Sequence, residues 1–100
     1  MIDIKLNASE KEYRLTVKGH SGYAPIGEDI VCAGVSALVL NFASFTVVAD
    51  GEIIEMKPAY SEITLARNKQ SELIAEAFKT AFEMLTVRYV KYIKFSFKGV

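Results

Sequence analysis

GHSGYAPIGEDIVCAGVSAL, residues Gly19 to Leu38, is where this 100-residue chain changes its period. Upstream, Tyr13, Leu15 and Val17 alternate with polar neighbours, the two-residue repeat of a half-buried strand. From Gly19 to Gly27 three glycines and Pro25 interrupt any regular pattern, which places a loop with unusual backbone angles or mobility there. Asp29 then stands just ahead of an apolar run and reads as the N-cap of a helix expected to reach about Ala49, with Asp50-Gly51 as its stop. A strand, a glycine loop and a capped helix thus fix the frame into which the rest is read.

Working outward, Ile2, Ile4 and Leu6 alternate as Tyr13, Leu15 and Val17 do, so the chain opens with a hairpin turning at Ala8–Glu12. Glu52–Lys57 and Tyr60–Ala66 form a second hairpin around Pro58-Ala59. From about Gln70 to Val87, Leu73, Ile74, Ala77, Phe78, Ala81, Phe82 and Leu85 recur at helical spacing, with Glu72, Glu76, Lys79 and Glu83 opposite. Tyr89 to Phe97 reads as a last strand. The order ββαββαβ predicts an α+β two-layer sandwich, a mainly antiparallel sheet covered by two helices, in a single domain over residues 1–100. The first helix is apolar nearly all round, more than one sheet covers, so part of it is expected to meet another subunit in a homodimer.

Composition narrows the function. Lys plus Arg and Asp plus Glu each number 12, and no long charge run offers a footprint for nucleic acid. A single cysteine forms no internal disulfide, and MIDIKLNASE lacks the basic-then-apolar layout of a secretory signal, so a cytoplasmic protein is expected. Ile30–Ala49 is twenty residues without a formal charge, but it carries Ser36, Asn41, Ser44 and Thr46 between acidic flanks, and it reads as a buried helix rather than a membrane span.

The only histidine, His20, and the only cysteine, Cys32, lie twelve residues apart across the glycine loop. With Asp29 as N-cap, Cys32 is the third helical residue, beside unpaired N–H groups and the positive end of the helix dipole. Helix N-termini and neighbouring imidazolium take a cysteine pKa from about 8.5 to roughly 3.5–7.5, which makes a usable nucleophile. His20 ends a strand just before the loop and can serve as general base, with N–H groups around Val31–Ala33 as an oxyanion hole. Asp29 has two readings, helix cap or orienter of the imidazole, and its position favours the cap. Ser36, four residues after Cys32, shares its helical face. Against this stands a bland reading, in which an unpaired cysteine is a small core hydrophobe within a non-catalytic, ribosome-associated or protein-binding module. A thiol redox sensor is a third. One histidine and one cysteine leave zinc short of ligands, so no metal or other cofactor is expected. Tyr23, Met56, Tyr89 and Tyr92 read more readily as core or rim than as a peptide groove.

Gly19-His20, the loop with Gly22 and Tyr23, the run Gly27-Glu28-Asp29-Ile30-Val31-Cys32-Ala33 and Ser36 resemble the ribosomal-processing cysteine protease family, often called Prp. The resemblance implies a His20/Cys32 catalytic dyad, a large-subunit ribosomal protein as substrate whose short N-terminal extension is removed, and a small homodimer. It also implies a loop that moves to admit the peptide, with Gly22 and Gly27 as flexing points. The family pattern usually has alanine after the histidine and at the position of Gly34. Here Ser21 and Gly34 stand there, and a glycine inside a helix costs about 1 kcal/mol against alanine unless close packing uses the missing side chain.

Overall fold

The alternation at the start of the chain resolves into two paired strands, β1 (Ile2–Ala8) and β2 (Glu12–Lys18), whose apolar residues meet in register as Ile4↔Val17 and Leu6↔Leu15 on one buried face. The structure is a computed structural model describing residues 1–25 and 27–99; Ile26, inside the expected loop, and Val100 lie outside the described residues. The remaining elements are α1 (Ile30–Ser44), β3 (Gly51–Lys57), β4 (Tyr60–Ala66), α2 (Lys69–Arg88) and β5 (Ile93–Lys98), in the order ββαββαβ.

The five strands form one sheet in the order β3-β4-β2-β1-β5. Three pairings are antiparallel and one, β1 with β5, is parallel, so the sheet is mainly antiparallel and the fold is the α+β arrangement expected. Hairpins make the β1·β2 and β3·β4 pairs. The non-local β2·β4 pairing joins them, aligning Leu15 with Ile63 and Tyr13 with Leu65.

Both helices contribute to the core formed on the sheet's apolar face. Val31, Val35, Val39 and Phe42 recur at three- and four-residue spacing and give α1 a buried stripe; Ser71, Ala75, Phe78 and Phe82 do the same for α2. Phe42 meets Phe78 edge-on at 5.2 Å and Phe82 stacks on Phe95 at 5.6 Å between ring centroids, tying helix to helix and helix to strand. Full burial of each such ring stabilises the fold by roughly 1.5–3 kcal/mol. Elsewhere on β2 and β4, Arg14 pairs with Glu12 at 3.0 Å and with Glu62, which also accepts from the Tyr60 hydroxyl at 2.7 Å.

Two boundaries differ from the sequence expectation. Helix α1 stops at Ser44 instead of Ala49. Phe45 N–H bonds back to Phe42 O at 3.1 Å, and the Ser44 and Thr46 hydroxyls take Asn41 O and Ala43 O at 2.6 and 2.7 Å, tightening the last turn and occupying carbonyls a further turn needs. Val47 and Val48 then point outward and only Ala49 returns to the core, so apolar composition alone overstated the helix. Its stop is followed by a left-handed Asp50 at φ 55° and by Gly51, whose missing Cβ would collide with Thr64 O and lie 2.8 Å from Leu65 Cδ2. Strand β5 begins at Ile93 instead of Tyr89, because Tyr89 N–H still bonds Leu85 O at 3.0 Å and the chain must turn before Tyr92 O accepts Ile2 N–H at 2.9 Å. Among the described residues, no helix is long and apolar enough to cross a membrane.

Candidate active site

Strand β2 ends between the starts of its two neighbours, Lys18 pairing with Asp3 on one side and with Tyr60 on the other. Gly19-His20 therefore leaves the sheet beside the Pro58-Ala59 turn. Gly19 N–H donates to Ala59 O at 2.9 Å, and a Cβ on Gly19 would sit 2.6 Å from Met1 O with φ at 95°, so glycine is required on both counts. The Met1 ammonium donates to His20 O at 2.7 Å, which holds the histidine's backbone and leaves its ring exposed.

Helix α1 brings in the cysteine. Asp29, extended at φ −84° and ψ 98°, accepts the Cys32 N–H on Oδ1 at 2.9 Å, the N-cap geometry the sequence favoured. Its Oδ2 accepts the Ser21 hydroxyl, so among the described residues neither oxygen turns to the His20 ring. Desolvation opposes ionisation of Asp29, but hydrogen bonds led by those from the Ser21 hydroxyl and the Cys32 main chain outweigh it, and the pKa is lowered to about 2. The cap also engages donors once expected to make an oxyanion hole. Cys32 N–H goes to Asp29 Oδ1, and Ala33 N–H goes to Asp29 O at 3.0 Å.

Cys32 is half-buried, at the margin of the core rather than inside it. Its sulfur lies 3.5 Å from Ser21 N and 3.6 Å from Ser21 Oγ. Below it opens a groove of about 430 Å³. It is lined by Cys32, Val35, Ser36, Val39 and Leu40 of α1, by Met56 to Ser61 around the β3–β4 turn, by Ile2 and Val17 of the sheet, and by Gly19 and His20. His20, Cys32 and Ser36 thus border one cavity, while among the described residues no hydrogen bond joins the imidazole to the sulfur. Such bonds often tighten only when substrate is bound.

Gly22 and Gly27 both adopt positive φ, 72° and 92°, with open space where a Cβ would be. Between them Tyr23 packs edge-on against Tyr92 at 5.2 Å and Tyr89 at 6.2 Å, pinning the near end of the loop to the α2–β5 turn. Of the four aromatic and thioether residues considered from sequence, only Met56 lines the groove. Sequence reasoning missed Val35, Val39 and Leu40, which the i+3, i+7 and i+8 spacing from Cys32 was sufficient to flag, and it missed the contact of Ser21 with Cys32, which no local pattern signals. Among the described residues, no group of three His, Cys, Asp or Glu side chains is placed to hold a metal ion.

A thiol at a helix start beside a groove that also holds an imidazole is an arrangement suited to nucleophilic acyl transfer. Residues 1–94 match the family model for cysteine protease Prp. The chain belongs to the Prp cysteine protease family. Its fold is also that of solved structures. An essential ribosomal processing protease Prp from S. aureus, with a covalently linked product peptide, is 20% identical with a TM-score of 0.83 over 98% of this chain and 100% of that one. The same protease with a substrate peptide gives 0.77 at 20% identity over 98% and 100%. SMU.848 from Streptococcus mutans gives 0.76 at 24% identity over 100% of this chain and 96% of that one. No curated protein matches the sequence.

Proposed function

We propose that this chain is a cytoplasmic endopeptidase that removes a short N-terminal extension from a large-subunit ribosomal protein, with Cys32 as nucleophile and His20 as general base. The observation carrying this reading is that the only histidine and the only cysteine border one groove of about 430 Å³. The Cys32 sulfur attacks the scissile carbonyl carbon while its proton passes to His20. The tetrahedral intermediate collapses, the C–N bond breaks, and His20 returns the proton to the leaving amine. Water then hydrolyses the thioester with His20 as base, releasing the new carboxylate and restoring the thiol. Ser36, one helical turn beyond Cys32, faces the bound peptide from the same wall. The loop carrying Gly22 and Gly27 moves to admit the peptide, and the domain spans residues 1–100. The enzyme acts as a homodimer; the exposed Ile30 on α1, outside the groove lining, supports an apolar contact between copies.

The test is to incubate wild-type and Cys32→Ala protein with large-subunit ribosomal proteins bearing their N-terminal extensions and with a peptide library, read by mass spectrometry. Cleavage at one site by wild type alone is expected. No cleavage by either, with a Cys32 slow to alkylate, sinks the protease reading in favour of a binding module.

A further inference from the structure

Ser21 is 4% exposed, and its hydroxyl is engaged in every direction it can use. It donates to Asp29 Oδ2, accepts Tyr23 N–H at 3.1 Å, and accepts from the Cys32 thiol at 3.6 Å, while Ser21 N–H lies 3.5 Å from the same sulfur. Asp29 Oδ1 holds the Cys32 N–H at 2.9 Å. These contacts close a ring: Asp29 carboxylate, Cys32 main chain, Cys32 side chain, Ser21 hydroxyl and back to the carboxylate. A free cysteine side chain samples its staggered rotamers. Here both ends of the Cα–Cβ–Sγ segment are tied to one carboxylate, the main chain directly and the sulfur through Ser21.

We infer that Ser21 is a positioning residue that locks the Cys32 side chain in one rotamer at the head of the groove. It contacts the Cys32 side chain and the Asp29 carboxylate and acts only through them. The consequence for peptide cleavage rests on the proposed function above, whereas the locking does not. A nucleophile held before substrate arrives does not need to be ordered during the reaction, so the effect belongs in kcat.

The experiment compares wild type, Ser21→Ala and Ser21→Thr, each checked for a native thermal transition. NMR couplings between the Cys32 Cα and Cβ protons report the rotamer without any substrate. Unequal couplings are expected in wild type and in Ser21→Thr, and averaged ones in Ser21→Ala. On an extension-bearing ribosomal peptide, Ser21→Ala is expected to lower kcat about three- to tenfold, the worth of one hydrogen bond, with KM within about twofold. Asp29→Asn, which keeps an oxygen for the cap, serves as a second route to break the ring if Ser21→Ala does not fold. Added to Ser21→Ala it is expected to cost nothing further in kcat. Couplings that stay unequal when the ring is broken overturn the inference, as does an unchanged kcat. If wild type cleaves nothing, the protease reading falls and the couplings alone decide the role of Ser21.

Discussion

Helices α1 and α2 begin with the same device and part company at their third residue. Asp29 accepts the N–H of Cys32 and Asn68 accepts the N–H of Ser71, both at 2.9 Å. In α2 the third residue reciprocates, Ser71 Oγ accepting Asn68 N–H at 2.8 Å, so the capping box is closed and Ser71 is completely buried. In α1 the third side chain is a cysteine that leaves its box open and turns to Ser21 and the groove. The second polar atom of each cap follows suit. Asn68 Nδ2 donates to Ala49 O and Ala66 O, stapling α2 to the sheet, whereas Asp29 Oδ2 holds Ser21. One backbone solution is therefore closed in one helix and left open in the other, where the third side chain borders the groove.

The sharpest way to break this comparison is Cys32→Ser, which gives α1 the third residue that α2 has. Cleavage is expected to fall to background while the unfolding temperature stays level or rises, as mass spectrometry and calorimetry will register; retained cleavage removes Cys32 from the chemistry. The converse is Asn68→Ala, which opens the closed box. It is expected to destabilise the protein by about 1–2 kcal/mol in urea unfolding, with activity per folded molecule unchanged because α2 starts away from the groove.

A smaller effect is expected at Gly34→Ala. The nearest atom to a Cβ there is Leu85 Cδ1 at 3.9 Å, an ordinary contact, so no close approach uses the missing side chain. The substitution should raise stability by about 0.5–1 kcal/mol, and a loss on urea titration would contradict this account of α1. The last effect is in pH. Asp29 is held at about 2 in the folded chain against 3.8 for the free side chain, so its contribution is complete above about pH 4 and disappears as pH falls through about 2. The stability difference between wild type and Asp29→Asn should shrink over that interval, whereas that between wild type and Asn68→Ala, at a cap that does not titrate, should gain no pH dependence from it. A difference that stays constant for Asp29→Asn to pH 2 would remove the ionised carboxylate from the cap.

Strand alternation gave away β1 and β2 and helical spacing gave away α2 to within a residue, because each pattern is set by which side of one element meets the core. The end of α1 and the start of β5 were not legible. Both are decided by carbonyl partners, Asn41 O and Ala43 O in one case and Leu85 O in the other, which hydrophobicity does not register. At the site, His20, Cys32, Asp29 and Ser36 were all singled out by residue type and spacing. Of the opposite wall, Met56 to Ser61, only Met56 was considered, and as core or rim, since that wall comes from a turn more than twenty residues beyond Cys32.

The sequence by itself determined the order of elements, the cap on α1 and the place of Cys32 three residues after it, because these depend on neighbours within one turn or one strand. Only the tertiary structure decided that β4 lies between β2 and β3, that the β3–β4 turn faces α1 across a groove, and that Ser21 reaches the Cys32 sulfur. Those contacts follow from the pairing of β2 with β4, which joins the two hairpins in one sheet and is a property of the whole chain rather than of any one segment of it.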